Sequence, residues 1–139
     1  MTDAELTAHY RRYIGYLNDR RLHELQDFVH EQLIYNGDTK TRAEYQNLIA
    51  ESVDAAPDLY FNIGLLVVHG NHVACRLDFN CTPRREFLGL QPNGQSVVFA
   101  EHAFYRFDHG KIAEVWSLID RSAVAEQFAT REKSPAVIR

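Results

Sequence analysis

Pro57 divides this chain into two parts that follow different periods, and no other feature constrains the fold so strongly. Before it, apolar residues recur every three or four positions, the spacing of helices that bury one face. After it, aromatic and β-branched residues run in long blocks separated by Gly- and Asn-containing turns, the habit of strands. A chain that writes helices first and strands second folds as α+β.

The first half opens with Leu6, Tyr10, Tyr13, Ile14 and Leu17 on one helical face, behind a capping Thr2 or Asp3. Asn18-Asp19 ends that pattern. A second short amphipathic stretch carries Leu22, Leu25, Phe28 and Val29. Gln32 to Tyr35 reads as a short strand stopped by the turn pair Asn36-Gly37. Thr41-Arg42-Ala43-Glu44 has the spacing of a capping box, and the helix it opens buries Tyr45, Leu48, Ile49 and Val53. Pro57 closes it, because its ring disfavours helical geometry in the residue before.

In the second half, Leu59 to His69 and His72 to Cys81 read as strands joined at Gly70-Asn71. Thr82 to Gly94, with Pro83, Gly89, Pro92 and Gly94, reads as a loop or broken strand. Gln95 to Phe107 and Lys111 to Asp120 form two further strands around Asp108-His109-Gly110. Ser122 to Phe128 is expected to make a last helical turn. Four long strands joined mainly by hairpins make one strongly curved antiparallel sheet, and the early helices would cover its concave face and leave a pocket. The 139 residues, 45% of them hydrophobic, fill one core but not two. A single domain over residues 1–130 is expected, with a flexible tail at 131–139.

Charge and cysteines narrow the function. Fifteen Lys and Arg against 19 Asp and Glu leave a net charge of −4 and no basic stripe, so a nucleic-acid partner is not expected. No apolar run approaches the ~20 residues that span a bilayer. The charged, helix-like start is unlike a signal peptide, so a cytoplasmic location is expected. Cys75 and Cys81, six positions apart in one strand, would lie about 20 Å apart, far beyond disulfide reach. They are expected to be buried free thiols. His69 and His72 flank a turn, but two ligands do not make a zinc site, and no metal is expected.

Several stretches resemble the SnoaL-like polyketide cyclases, cone-shaped domains of the nuclear transport factor 2-like superfamily. Ala56-Pro57-Asp58-Leu59 is similar to the family's "PDL" before the first long strand. Glu86 to Gln95, EFLGLQPNGQ, is similar to its "F-G-x-x-P-T-G-K" loop, with Asn93 and Gln95 in place of Thr and Lys. Arg106 to Asp120, RFDHGKIAEVWSLID, is close to "R-F-x-D-G-K-I-x-E-x-W-x-x-x-D", and Ala125 to Phe128 resembles the short "QL" ending. Where the family often reads "G-T-H-x-G", this chain has Asn80 to Arg85, NCTPRR, so one rim of the pocket is expected to differ. The resemblance implies a cystatin-like α+β roll, a homodimer, no cofactor, and acid/base chemistry on a small hydrophobic carbonyl ligand. Aldol cyclisation and proton-transfer isomerisation use the same machinery. A non-catalytic ligand-binding or dimerisation module, and an epoxide-type hydrolase built on Asp120, Arg76, Asp78 and Asn80, are the rival readings.

The same resemblance makes Asp120 the catalytic base. Strand alternation would place Ile112, Glu114, Trp116, Leu118 and Asp120 on one face, and a carboxylate beside such apolar neighbours is expected to be desolvated. The position also suits a cap for the helix near Ser122. His102 is the expected second group, holding the carboxylate or donating to a developing oxyanion. Its facing depends on one turn. If His109-Gly110 is a two-residue loop, Glu101 and Tyr105 share Asp120's face and His102 does not; if Asp108-His109-Gly110 is a three-residue loop, His102 lies opposite Trp116. Trp116, Asn36, Arg76, Tyr45, Phe61 and Phe104 are the candidate ligand-binding residues, each of which could equally serve packing or, for Arg76 and Asn36, a solvated face or a turn.

Overall fold

In a computed structural model, which describes residues 1–137 and side chains through 129, three helices pack on one open six-stranded sheet. Helix α1 spans Asp3–Asn18 and α2 spans Arg42–Ala55. Both begin with the reciprocal cap their sequences announce. Thr2 Oγ1 accepts from the Glu5 amide at 3.1 Å while Glu5 Oε1 accepts from the Thr2 amide at 2.8 Å, and Thr41 with Glu44 repeats the arrangement. Leu6, Tyr10, Tyr13, Ile14 and Leu17 of α1 are all buried, each contributing about 2 kcal/mol of apolar burial. Tyr10 Oη is the one buried side-chain polar atom without a hydrogen bond among the described residues, and it lies beside the Cys75 thiol, a weak partner at best.

The strands are β1 (Val29–Tyr35), β2 (Asp38–Thr41), β3 (Asn62–His69), β4 (His72–Cys81), β5 (Val97–Asp108) and β6 (Lys111–Ile119). They lie in the order β2-β1-β6-β5-β4-β3. β3 to β6 form the antiparallel meander expected from the sequence. β1 adds to it by running parallel to β6, which makes the sheet mixed. Two features differ from expectation in the first half. The stretch from Leu22 to Val29 forms only a short 3-10 turn at Leu25–Asp27, with Val29 already in β1. Asn36 and Gly37, at φ +48° and +87°, make a hairpin turn into β2 rather than ending the strand region.

β4 shows the sheet's two faces plainly. Val73, Cys75, Leu77, Phe79 and Cys81 are buried under the helices, while the residues between them face outward. Both cysteines are free and buried as expected, and burial pushes the Cys81 thiol up to about 12.

The β5–β6 hairpin is where alternation breaks. His109 and Gly110, at φ +52° and +78°, form a two-residue turn that pairs Phe107 with Ile112. The next pair is Arg106 with Glu114, so Ala113 is an extra residue bulged out of the ladder. Such a bulge bends a strand and increases its twist, as a strongly curved sheet requires. It also reverses the parity of everything that follows. Val115, Ser117 and Ile119 turn inward, and Trp116, Leu118 and Asp120 turn outward.

Helix α3 spans Arg121–Val137, so its backbone continues through most of the stretch expected to be a tail; residues 138 and 139 lie outside the described residues.

Candidate active site

Between the concave sheet face and the helices α1 and α2 lies a chamber of about 100 Å3. Tyr13 comes from α1, Tyr45 from α2, Tyr35 from β1, and Glu101 and Tyr105 from β5. Apart from Ser52 of α2 the rest of the wall is apolar, including Phe61 and the stacked pair Phe79 and Phe99 with centroids 5.0 Å apart. Tyr45 and Phe61 are therefore where the sequence places them, in the wall.

Among the described residues Glu101 is the only acidic one lining this chamber. Strand pairing sets it between Leu77 on β4 and Ile119 on β6, and its residual exposure opens into the chamber. Burial pushes its carboxyl above the usual carboxylate range. Ser117 opposes that push, because its Oγ donates to Glu101 Oε2 at 2.6 Å and favours the charged form. Glu101 Oε1 takes no hydrogen bond from any described residue, so it is free to meet a ligand.

Ser117 is itself held from outside. Asn36 Oδ1 accepts from the Ser117 amide at 2.8 Å and Asn36 Nδ2 donates to the Ser117 carbonyl at 3.1 Å. Asn36 is thus an exposed clamp on β6, not a wall of the chamber, and it reaches the ligand space only through Ser117. In the same chamber the hydroxyls of Tyr13 and Tyr45 are 2.6 Å apart. Burial raises both phenols, and that of Tyr105, well above their ordinary value, so all three stay neutral proton donors.

The other expected site residues lie on the opposite face of the sheet. Asp120 is exposed and its Oδ1 accepts from the Ala123 amide at 3.1 Å, which is the N-cap of α3. Trp116 is 41% exposed and Phe104, its cross-strand partner, 54%. Arg76 Nη1 donates to His102 Nε2 at 2.9 Å and Arg76 Nε to Asp78 Oδ1 at 3.0 Å. Arg76, Asp78, His102 and Asp120 share a wide outer groove with Leu118. The expectation that Asp120 and Trp116 turn inward is corrected by the Ala113 bulge, which sends both outward. His102 does share their face, but it pairs with Leu118 rather than with Trp116 as the three-residue-loop register would have it, and that face is the outer one. The polar groups that do line the chamber beyond those expected are Tyr13, Tyr35, Ser52 and Tyr105, with Ser117 behind Glu101. Tyr13 and Tyr105 carried a signal in their period, whereas Ser117 carried none.

A family model for SnoaL-like polyketide cyclases matches residues 7–128. The chain belongs to that family. Among solved structures, a SnoaL-like polyketide cyclase from Agrobacterium tumefaciens strain C58 is 36% identical, with a TM-score of 0.83 over 88% of this chain and 96% of that one. TsrD from Streptomyces laurentii, 16% identical, reaches a TM-score of 0.83 over 92% of this chain and 97% of its own. AclR from Streptomyces galilaeus, 23% identical, reaches 0.77 over 93% and 98%. The last two show the shared fold alone. No curated protein matches the chain. The SnoaL-like fold accounts for the curved sheet, the covering helices and the chamber between them. Among the described residues no helix is long and apolar enough to cross a membrane, and no group of three or more His, Cys, Asp or Glu side chains could hold a metal ion.

Proposed function

We propose that this SnoaL-like protein is a cofactor-independent acid/base enzyme acting on a small hydrophobic carbonyl compound, by isomerase-type proton transfer or aldol-type closure, with Glu101 as the base. The observation that carries this reading is a desolvated carboxylate with one unused oxygen, Oε1, in a chamber rich in tyrosine hydroxyls. A carboxylate whose affinity for protons is raised by burial is a stronger base than one in water, and it is better matched to removing a proton beside a carbonyl. Glu101 Oε1 takes that proton while a hydroxyl of the Tyr13 and Tyr45 pair donates to the carbonyl oxygen as it gains charge. The enolate then either recovers the proton at another carbon or attacks a second carbonyl, and Glu101 returns the proton to the product. Ser117 holds the carboxylate in one orientation throughout.

The test is exchange of the α-hydrogens of a cyclic ketone in D2O, followed by proton NMR. Glu101→Gln is expected to lower the rate by on the order of 10²–10⁴, and Asp120→Asn to leave it within about a factor of three. A large loss in Asp120→Asn with none in Glu101→Gln would return the role to the outer acid. The competing binding-module reading is favoured by the Ser117 hydrogen bond, which already satisfies half of the carboxylate; it predicts no exchange in the wild type.

The homodimer belongs to the same proposal. Val98, Phe104, Trp116 and Leu118 leave an apolar outer face that is 53%, 54%, 41% and 75% exposed at those residues, and a second copy would cover it. Sedimentation equilibrium should then show a dimer for the wild type and a monomer for Leu118→Lys; a monomeric wild type contradicts the pairing.

A further inference from the structure

A second hollow, a groove open to solvent, shares no lining residue with the chamber. Two irregularities in the sheet make room for it. Pairing of β1 with β6 steps from Val29 opposite Ile112 to Ile34 opposite Glu114, so His30 to Leu33 lie outside that ladder. His30, Glu31 and Gln32 from this gap, the bulged Ala113 and the first turn of α2 border the groove. Bulges are over-represented beside active sites because they re-aim side chains and end pairing.

Gln46 is the residue that points to a ligand. It is only 9% exposed, and the surface it keeps opens into this groove. Its carboxamide bonds to no described residue, and unlike Tyr10 Oη its polar atoms are not sealed from the groove. A polar side chain so far withdrawn from water costs stability unless something bonds it. Arg42 stands one turn earlier on the same face of α2 and lines the same groove. Its Nη1 donates to the Val29 carbonyl at 3.1 Å, which fixes the guanidinium. Its other donors have no acid partner among the described residues, because Glu44 is turned to the Thr41 amide at 2.8 Å. The amides of Arg42 and Ala43 open the helix and have no carbonyl within it to bond. Guanidinium, helix amides and carboxamide together are a donor set for the two oxygens of a carboxylate.

The other charges of the groove limit how much negative charge it takes. Arg106 lies 3.5 Å from Glu114, and His30 lies 3.4 Å from Asp108. Glu31 is exposed and has no basic partner among the described residues. Arg42 is thus the one arginine of the groove without an acid beside it, and two carboxylates stand on the rim. One negative charge is favoured there and a second is opposed. We infer that this groove is a second ligand site, holding a small monocarboxylate on Arg42, Gln46 and the first amides of α2. It stands independently of the chemistry proposed for the chamber.

The experiment is an amide NMR titration of the full chain with acetate and, separately, with inorganic phosphate, at constant ionic strength and a mildly alkaline pH where phosphate is a dianion. Acetate should saturate in the ~millimolar range expected of so few atoms, shifting the Arg42 and Ala43 amides and the Gln46 side-chain amide. Phosphate should bind at least about fivefold more weakly. Arg42→Gln and Gln46→Leu should each weaken acetate at least about tenfold. Gln46→Leu and Gln46→Met carry a second readout. Each removes an unbonded, withdrawn carboxamide, so without acetate each should unfold at a higher urea concentration than the wild type. No saturation at those three signals, phosphate binding as tightly as acetate, or unchanged affinity in either Arg42→Gln or Gln46→Leu would overturn the inference. So would unfolding of both Gln46 variants at lower urea than the wild type, since the carboxamide would then be a structural group.

Discussion

At the scale of single residues, what matters is which carboxylate is taken out of water. Asp120 is exposed and spends an oxygen on a helix amide, the role of a helix cap. Glu101 is inside, and burial raises its proton affinity against the single opposing hydrogen bond from Ser117. The sign of the consequence is fixed. Because the folded protein holds this proton more tightly than the unfolded chain does, the Glu101 contribution to stability is fully present below the unfolded carboxyl's ordinary value and is lost as pH rises through the raised folded value. Replacing Glu101 with Gln removes that loss and keeps an acceptor for Ser117. Urea unfolding across pH 4 to 8 should therefore show the variant gaining on the wild type as pH rises; parallel curves would mean that Glu101 is solvated like a surface acid. The sequence offered Glu101 only as sharing Asp120's face under a two-residue loop, whereas the two acids lie on opposite faces; Tyr45 and Phe61 were legible as candidate walls. Ser117 was not, since a Ser in a strand carries no sign of its facing until the register is known.

The register itself is an element-scale property, and one residue decides it. The two-residue turn at His109-Gly110 was one of two readings open from the letters, but nothing in Lys111 to Glu114 marks Ala113 as extra. Because side chains alternate strictly, that one insertion moved Trp116 and Asp120 from the inner face to the outer. Deleting Ala113 should leave regular alternation, with Ile112, Val115, Ser117 and Ile119 still inward, at a cost of about 1–3 kcal/mol for the lost bend. Deleting Trp116 instead inverts every residue after it and should abolish cooperative unfolding. Circular dichroism melts of the two variants distinguish these outcomes, and an unfolded Ala113 deletion would contradict the bulge. Strand β2 was unread for a different reason. Asp38–Thr41 is polar and short, with no apolar alternation to show, so the Asn36-Gly37 turn before it read as the end of a strand.

At the scale of the whole molecule, the long antiparallel meander and the covering helices follow from local periods and turns, which is why the α+β cone was readable in advance. The parallel pairing of β1 with β6 joins strands 75 or more residues apart and has no local signature. That pairing bears on the site, because it brings Asn36 onto Ser117, whose hydroxyl the β5–β6 pairing sets against Glu101. The fold thus presents two unlike faces: an inner one with a single desolvated acid among tyrosines, and an outer one with exposed apolar strands and the Arg76, Asp78 and His102 cluster. Carbon-13 NMR titration of the glutamate side-chain carboxyls in the folded protein separates the inner acid from all the others. One glutamate signal, missing from the Glu101→Gln spectrum, should titrate above the remaining glutamates. If the signal lost in that variant instead titrates together with the surface glutamates, no acid is desolvated in the chamber and the account is wrong.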